Sequence, residues 1–336
     1  MQYPWHTPIW QHLTQRYHSD QLPHALLLSG NPGLGKAAFS EQLAHWLLCE
    51  ETTKGQRTPV TGQPSPCGKC NGCMLYKAGS HPDVMRVSPE SEGKVITVDS
   101  VRSIAGFLAL KSQFAEYQIV IVSPAEAMNK YAANGLLKTL EEPTPGVLLL
   151  LVTHDATSLL PTVRSRCQTV AIPVPEQTQA SDWLTQAMAQ HKLQAEDTEP
   201  LLRLADGAPL LALEYARAGT LSNHQQLLQS FEKLAKKQSD PVTEAGLWVS
   251  TGLAPSLKWM YLWVAELIRF KSTLEMVDNK SILAEPALGG LAGSVDMAHL
   301  YKFLDKITDC IRTIPTQVNV QLTLEDLLIS WSRLNR

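Results

Sequence analysis

The first half of the chain alternates between short apolar runs and longer stretches whose apolar positions recur every three or four residues. The runs are His24–Ser29, Asp83–Val87, Gln118–Val122, Val147–Val152 and Gln168–Ala171. Apolar residues at successive positions fit strands that helices cover on both faces, as in a parallel sheet. Between them the pattern predicts helices over Lys36–Leu48, Ser100–Leu110 and Lys130–Leu140, and a short turn near Leu159–Arg164. The third helix should stop at Glu141-Glu142-Pro143, because proline disfavours helical backbone in the residue before it.

The strand signal ends at Ile172-Pro173-Val174-Pro175. Two prolines at that spacing read as a stiff linker and set a domain boundary. The expected organisation is an α/β domain over residues 1–174, a small helical domain over 175–217 and an all-helical domain over 218–336. The last should contain helices at Asn223–Lys236, Leu257–Phe270, Met297–Ile314 and Leu322–Leu334. Trp248, Trp259, Trp263 and Trp331 are expected in its core, since buried aromatics dominate helix packing.

Composition narrows the classes. A chain of 336 residues with 44% hydrophobic residues has material for two or three buried cores. A net charge of -3 argues against an overtly basic nucleic-acid binder, so any contact with DNA must be local or shared with partners. Met1-Gln2-Tyr3-Pro4-Trp5 lacks the basic start and apolar run of a signal peptide. The longest uncharged apolar stretches, such as Val147 to Val152 and Trp259 to Ala265, fall far short of the ~20 residues that span a bilayer. A cytoplasmic protein without membrane contact is expected.

Gly30-Asn31-Pro32-Gly33-Leu34-Gly35-Lys36 follows a predicted strand and precedes a predicted helix. That is the context of a phosphate-binding loop, in which glycines admit the anion to backbone N–H groups and the lysine adds charge. The next residue, Ala37, stands where a hydroxyl should hold Mg²⁺. The strand Gln118–Val122 runs into Ser123-Pro124-Ala125-Glu126, without the acidic pair that holds metal and polarises water in an active ATPase. Glu126 has the wrong offset. Gly30, Gly33, Gly35 and Lys36 therefore read as a degraded nucleotide site, with weak phosphate binding left open. A plain glycine-rich turn without any ligand is the blander reading.

Cys67, Cys70 and Cys73 are spaced two residues apart, and Cys49 lies upstream at the predicted end of the first helix. Four thiolates suit tetrahedral, structural Zn²⁺ in a closed site, one ion per chain. A ferredoxin-type cluster would need a further cysteine in Met74-Leu75-Tyr76-Lys77, and redox dithiol chemistry would not need four. His45 and His81 are reserve ligands should Cys49 be out of reach. The intervening segment, Glu50–Pro66, reads as a loop, and Cys167 and Cys310 have no metal reading.

Asn134-Gly135-Leu136-Leu137-Lys138-Thr139-Leu140-Glu141-Glu142-Pro143 resembles a signature of the clamp-loader subunits of the AAA+ family. Ser165-Arg166-Cys167 resembles their S-R-C motif, the strand ending at Thr153 resembles their first sensor, and the four-cysteine insert is shared with them. The missing metal ligands, and Leu210 in Gly207-Ala208-Pro209-Leu210 where a sensor arginine would stand, are similar to the delta-prime branch. The resemblance implies an AAA+ P-loop fold with a zinc module at 49–73, a helical lid and a C-terminal collar. It implies partnership with tau or gamma and delta in DNA polymerase III, and loading of the beta clamp on primed DNA by the assembled complex. It also implies that Arg166 acts in trans as an arginine finger, while the chain alone hydrolyses no ATP although it serves a DNA-directed DNA polymerase, a nucleotidyltransferase. Rival readings are an active AAA+ ATPase with atypical metal ligands, a nucleoside-monophosphate-kinase-like enzyme and a zinc-dependent DNA-binding module. Against the last two stand a segment 50–66 with Arg57 as its one arginine, and a thiol knuckle holding Lys69 alone.

Overall fold

Five strands form the sheet: β1 (Ala25–Ser29), β2 (Val84–Val87), β3 (Gln118–Val122), β4 (Val147–Val152) and β5 (Gln168–Ala171). The structure is a computed structural model and describes residues 3–53, 64–91, 93–193, 197–274, 286–293, 295–313 and 319–334. All pairings are parallel, in the order β2-β3-β4-β1-β5. The register sets Leu27 beside Leu151 and Val120 beside Leu149. β1, β3 and β4 are buried at every residue, as continuous apolar runs require. β2 and β5 lie at the edges and leave Arg86, Thr169 and Ala171 exposed.

Alternate strand residues feed two cores, because successive side chains leave a strand on opposite faces. Leu26, Leu28, Ile119, Ile121, Leu148 and Leu150 pack with α1 (Thr7–His18) and α2 (Lys36–Leu47). Leu27, Val120, Val122, Leu149 and Leu151 face the opposite layer. There, α3 (Glu50–Thr53) and α4 (Asn71–Lys77) having intervened in the chain, α5 (Val98–Leu108) and α6 (Lys130–Glu141) supply the cover with α7 (Pro161–Arg164). Caps explain the starts of two of these helices. Thr97 accepts from the Ser100 N–H, and Asn129 Oδ1 from the Ala132 N–H at 2.8 Å. α6 ends beside Pro143, where the sequence sets its stop.

Helix α1 has no counterpart among the predicted elements. The predicted loop over Glu50–Pro66 is corrected at its start, which is the helix α3; residues 54–63 lie outside the described residues. After the sheet come α8 (Gln177–Gln190), α9 (Thr198–Leu204) and α10 (Pro209–Arg217), which belong to the same compact unit, Met1–Arg217.

The second unit, Ala218–Arg336, contains α11 (Thr220–Ala235), α12 (Pro241–Thr251), α13 (Leu253–Leu274), α14 (Pro286–Ala292), α15 (Met297–Thr313) and α16 (Val320–Ser332). Ile314, the predicted end of one helix, lies outside the described residues. Its four tryptophans are buried as predicted. Trp331 stacks on Phe231 at 3.9 Å and donates Nε1–H to the Phe231 carbonyl at 2.9 Å. Trp248 donates to Ser230 Oγ at 3.0 Å, so these indoles enter the core with their polar edge satisfied. Among the described residues, no helix is long and apolar enough to cross a membrane.

Candidate functional site: a closed phosphate loop, a thiol cluster and an exposed arginine

The Gly30–Lys36 loop leaves the end of β1 and opens α2. Gly33 and Gly35 have φ of +78° and +81°, a region that side-chain-bearing residues rarely adopt. Both glycines are also covered. A Cβ on Gly33 would lie 2.4 Å from Leu211 Cβ, and one on Gly35 would lie 2.6 Å from the Tyr3 ring. The Leu210 N–H donates to the Gly33 carbonyl at 3.1 Å, so the start of α10 is seated on the loop. Trp5 Nε1 and His6 Nε2 both donate to the Leu34 carbonyl, at 2.9 and 2.8 Å.

Lys36 turns back into the loop. Its ammonium donates to the Gly30 and Asn31 carbonyls at 2.6 and 2.7 Å. Burial lowers its pKa to about 8, and the Glu126 carboxylate opposes that shift. Glu126 is thus electrostatically near the lysine despite its offset in sequence. One of its oxygens accepts from the His154 N–H at 2.9 Å, and the other is shielded from solvent without a hydrogen bond. Burial, with Lys36 nearby, lowers the His154 pKa. Ala37 offers no oxygen on its side chain, and the residues directly after β3 are Ser123 and Pro124.

Thr153 follows β4 and is fully buried. Its hydroxyl donates to the Asp155 carbonyl at 2.9 Å and accepts from the Asp155 N–H at 3.1 Å. That hydroxyl is occupied within its own turn.

The four cysteines converge. The Sγ atoms of Cys49, Cys67, Cys70 and Cys73 all lie within 4.8 Å of one another, with Cys67 to Cys73 at 3.9 Å and Cys70 to Cys49 at 4.0 Å. A tetrahedron with Zn–S bonds of about 2.3 Å has S–S edges of about 3.8 Å, so the set fits a closed S₄ site. Backbone N–H groups point at the sulfurs: Cys67 to Cys49, Cys70 to Cys67 and Cys73 to Cys70, at 3.3 to 3.4 Å. Such bonds, chiefly from Lys69 and Cys70, pull the Cys67 thiol down to about 7, while burial pushes Cys73 up. Neither reserve histidine is in the cluster. His45 stacks on Tyr76 at 4.5 Å, and His81 accepts from the Asp83 N–H through Nδ1. Arg86 of β2 makes two bonds to Glu41 of α2, 2.8 and 2.7 Å long, and its guanidinium sits 4.9 Å above the ring of Tyr76 on α4.

Arg166 follows α7. Its guanidinium donates to the Thr162 carbonyl at 2.9 Å and pairs with Glu141 at 2.6 Å, and about a third of the side chain stays exposed. Arg164 instead donates to the Ala156 carbonyl at 3.4 Å.

Residues 5–176 match the family described as "DNA polymerase III, delta subunit", and residues 218–333 its C-terminal counterpart. DNA polymerase III subunit delta' of Pseudomonas aeruginosa is 35% identical, over 99% of this chain and 98% of its own. The Haemophilus influenzae protein of that name is 33% identical over 96% and 95%. The chain belongs to the DNA polymerase III delta-prime family. That family makes it a clamp-loader component. The tau/gamma subunit of H. influenzae is similar too, 30% identical over 56% of this chain and 26% of its own length.

In this delta-prime chain, sequence reasoning brought together the cysteine set and the loop, and missed what covers the loop. Tyr3, Trp5, His6 and Leu211 carry no motif. The one available signal was the aromatic density of Tyr3-Pro4-Trp5-His6 ahead of an amphipathic stretch.

Proposed function

We propose that this clamp-loader component is a non-hydrolysing subunit that works in the cytoplasm with tau or gamma and delta. The assembled complex places the beta clamp on primed DNA. The observation that carries the reading is the closed loop: Lys36 is bonded to its own loop carbonyls, and Leu211 and Tyr3 cover the glycines where phosphates would approach. With Ala37 and Ser123-Pro124 in place of metal-holding residues, the fold keeps its shape and lacks the means to polarise water. Residues 1–174 act as the AAA+ domain, 175–217 as its lid and 218–336 as the collar. The four thiolates hold one structural Zn²⁺, which fixes the insert and takes no part in chemistry.

Arg166 acts in trans on the ATP site of an adjoining tau or gamma subunit. Its exposure supports this role, as does its permanently charged planar fork, which can grip phosphoryl oxygens as charge develops on them. Fingers of this kind are worth ~10³–10⁵ in rate. One feature favours the rival of an active ATPase: the bare Glu126 oxygen near Lys36. The experiment is ATP turnover by the purified chain, then by the complex reconstituted with Arg166→Ala. No turnover by the chain, and a large loss of stimulated turnover in an intact mutant complex, are expected. Turnover by the chain alone that vanishes in Lys36→Ala or Glu126→Gln would overturn the non-hydrolysing assignment.

A further inference from the structure

We infer that Glu141 is the positioning residue of Arg166, holding its guanidinium in the orientation that the adjoining ATP site receives; this rests on the finger role proposed above. Two elements hold the group. Glu141 is the last residue of α6 and pairs with Nη2 at 2.6 Å. Thr162 lies in α7, and its carbonyl accepts from Nη1 at 2.9 Å, with Ser165 Oγ 3.5 Å from the same nitrogen. Both helices pack on one face of the sheet, α6 through Ala132, Ala133, Leu136 and Leu140 and α7 through Val163.

A guanidinium carries five N–H donors. These contacts engage Nη1 and one hydrogen of Nη2, leaving Nε–H and the other Nη2–H for phosphoryl oxygens. Arg164, two residues earlier, bonds the Ala156 carbonyl at 3.4 Å and has Asp155 as an electrostatic neighbour.

The pair is a poor stability device. Its side chains are 35% and 48% exposed, and ion pairs so open to water contribute little to folding. Orientation is what the contact supplies. An unheld arginine samples many rotamers, and ordering it during the reaction slows the step by roughly 5–30-fold.

The test uses the complex reconstituted with its tau or gamma and delta partners, with assembly and thermal midpoint checked for each variant. DNA- and clamp-stimulated ATPase is measured for Arg166→Ala, Glu141→Ala, Glu141→Asp and the double Glu141→Ala/Arg166→Ala, with Glu142→Ala as the neighbouring control. Glu141→Ala should lower kcat by roughly 5–30-fold with KM for ATP and the thermal midpoint unchanged. Glu141→Asp should restore part of the rate, and the double variant should be no slower than Arg166→Ala. Full activity of Arg166→Ala in an intact complex removes the finger reading, and this inference with it. If Arg166→Ala is impaired and Glu141→Ala is not, or if their losses multiply, the positioning role alone is overturned.

Discussion

His224 makes the helical unit sensitive to acid. It lies on α11, buried, with the rings of Trp259 and Trp263 centred 5.2 and 5.1 Å from its own. Trp263 Nε1 donates to its Nε2 at 3.1 Å, so that nitrogen carries no proton. Burial lowers the pKa from 6.5 to about 4. In the unfolded chain the ring takes a proton near pH 6.5, and in the folded chain only near pH 4. Stability is therefore complete above about pH 6.5 and falls as the pH drops through that window. At 1.36 kcal/mol per pH unit, the interval costs roughly 3 kcal/mol. His224→Phe keeps an aromatic ring between the indoles and removes the proton site. It also strands the Trp263 N–H at about 1–3 kcal/mol, but that cost is independent of pH. The assay is urea unfolding followed by far-ultraviolet circular dichroism at steps from about pH 7 to about pH 4. Other titrating groups act equally in both proteins and cancel in the difference. The wild type should lose roughly 3 kcal/mol more than the variant across the window. Parallel pH profiles would refute the buried, neutral histidine.

Two further outcomes are expected. Gly33→Ala combines a positive φ with a Cβ 2.4 Å from Leu211 Cβ and 2.6 Å from the Leu211 nitrogen, so it should destabilise the first unit by about 2 kcal/mol or more in urea unfolding. An unchanged midpoint would mean that α10 does not rest on the loop. Elemental analysis of protein purified without added metal should find about one Zn²⁺ per chain, lost with a fall in thermal midpoint in Cys70→Ser. Stoichiometric iron, or a fully reduced protein without metal, would end the zinc assignment.

The strands were legible because each is a local pattern. A run such as VLLLLV at Val147–Val152 has no polar face to offer water, so it must be covered twice, and this requirement is written in adjacent residues. The phosphate-loop shape, the turn presenting Cys67, Cys70 and Cys73, and the stop of α6 before Pro143 are equally local. Even α1 was readable in principle, since Trp10, Leu13 and Tyr17 recur at helical spacing and are all buried.

Tertiary structure decided the rest. Which strands lie at the edge depends on the order β2-β3-β4-β1-β5, and edge position is why β2 and β5 are half-exposed. The loop is closed by Leu211 and Tyr3, and Arg166 is held by Glu141, through contacts between residues far apart in the chain. Sequence periodicity reports which face of an element is buried. Which side chain arrives to cover it is set by how whole helices pack on the sheet, and no spacing between neighbouring residues encodes that.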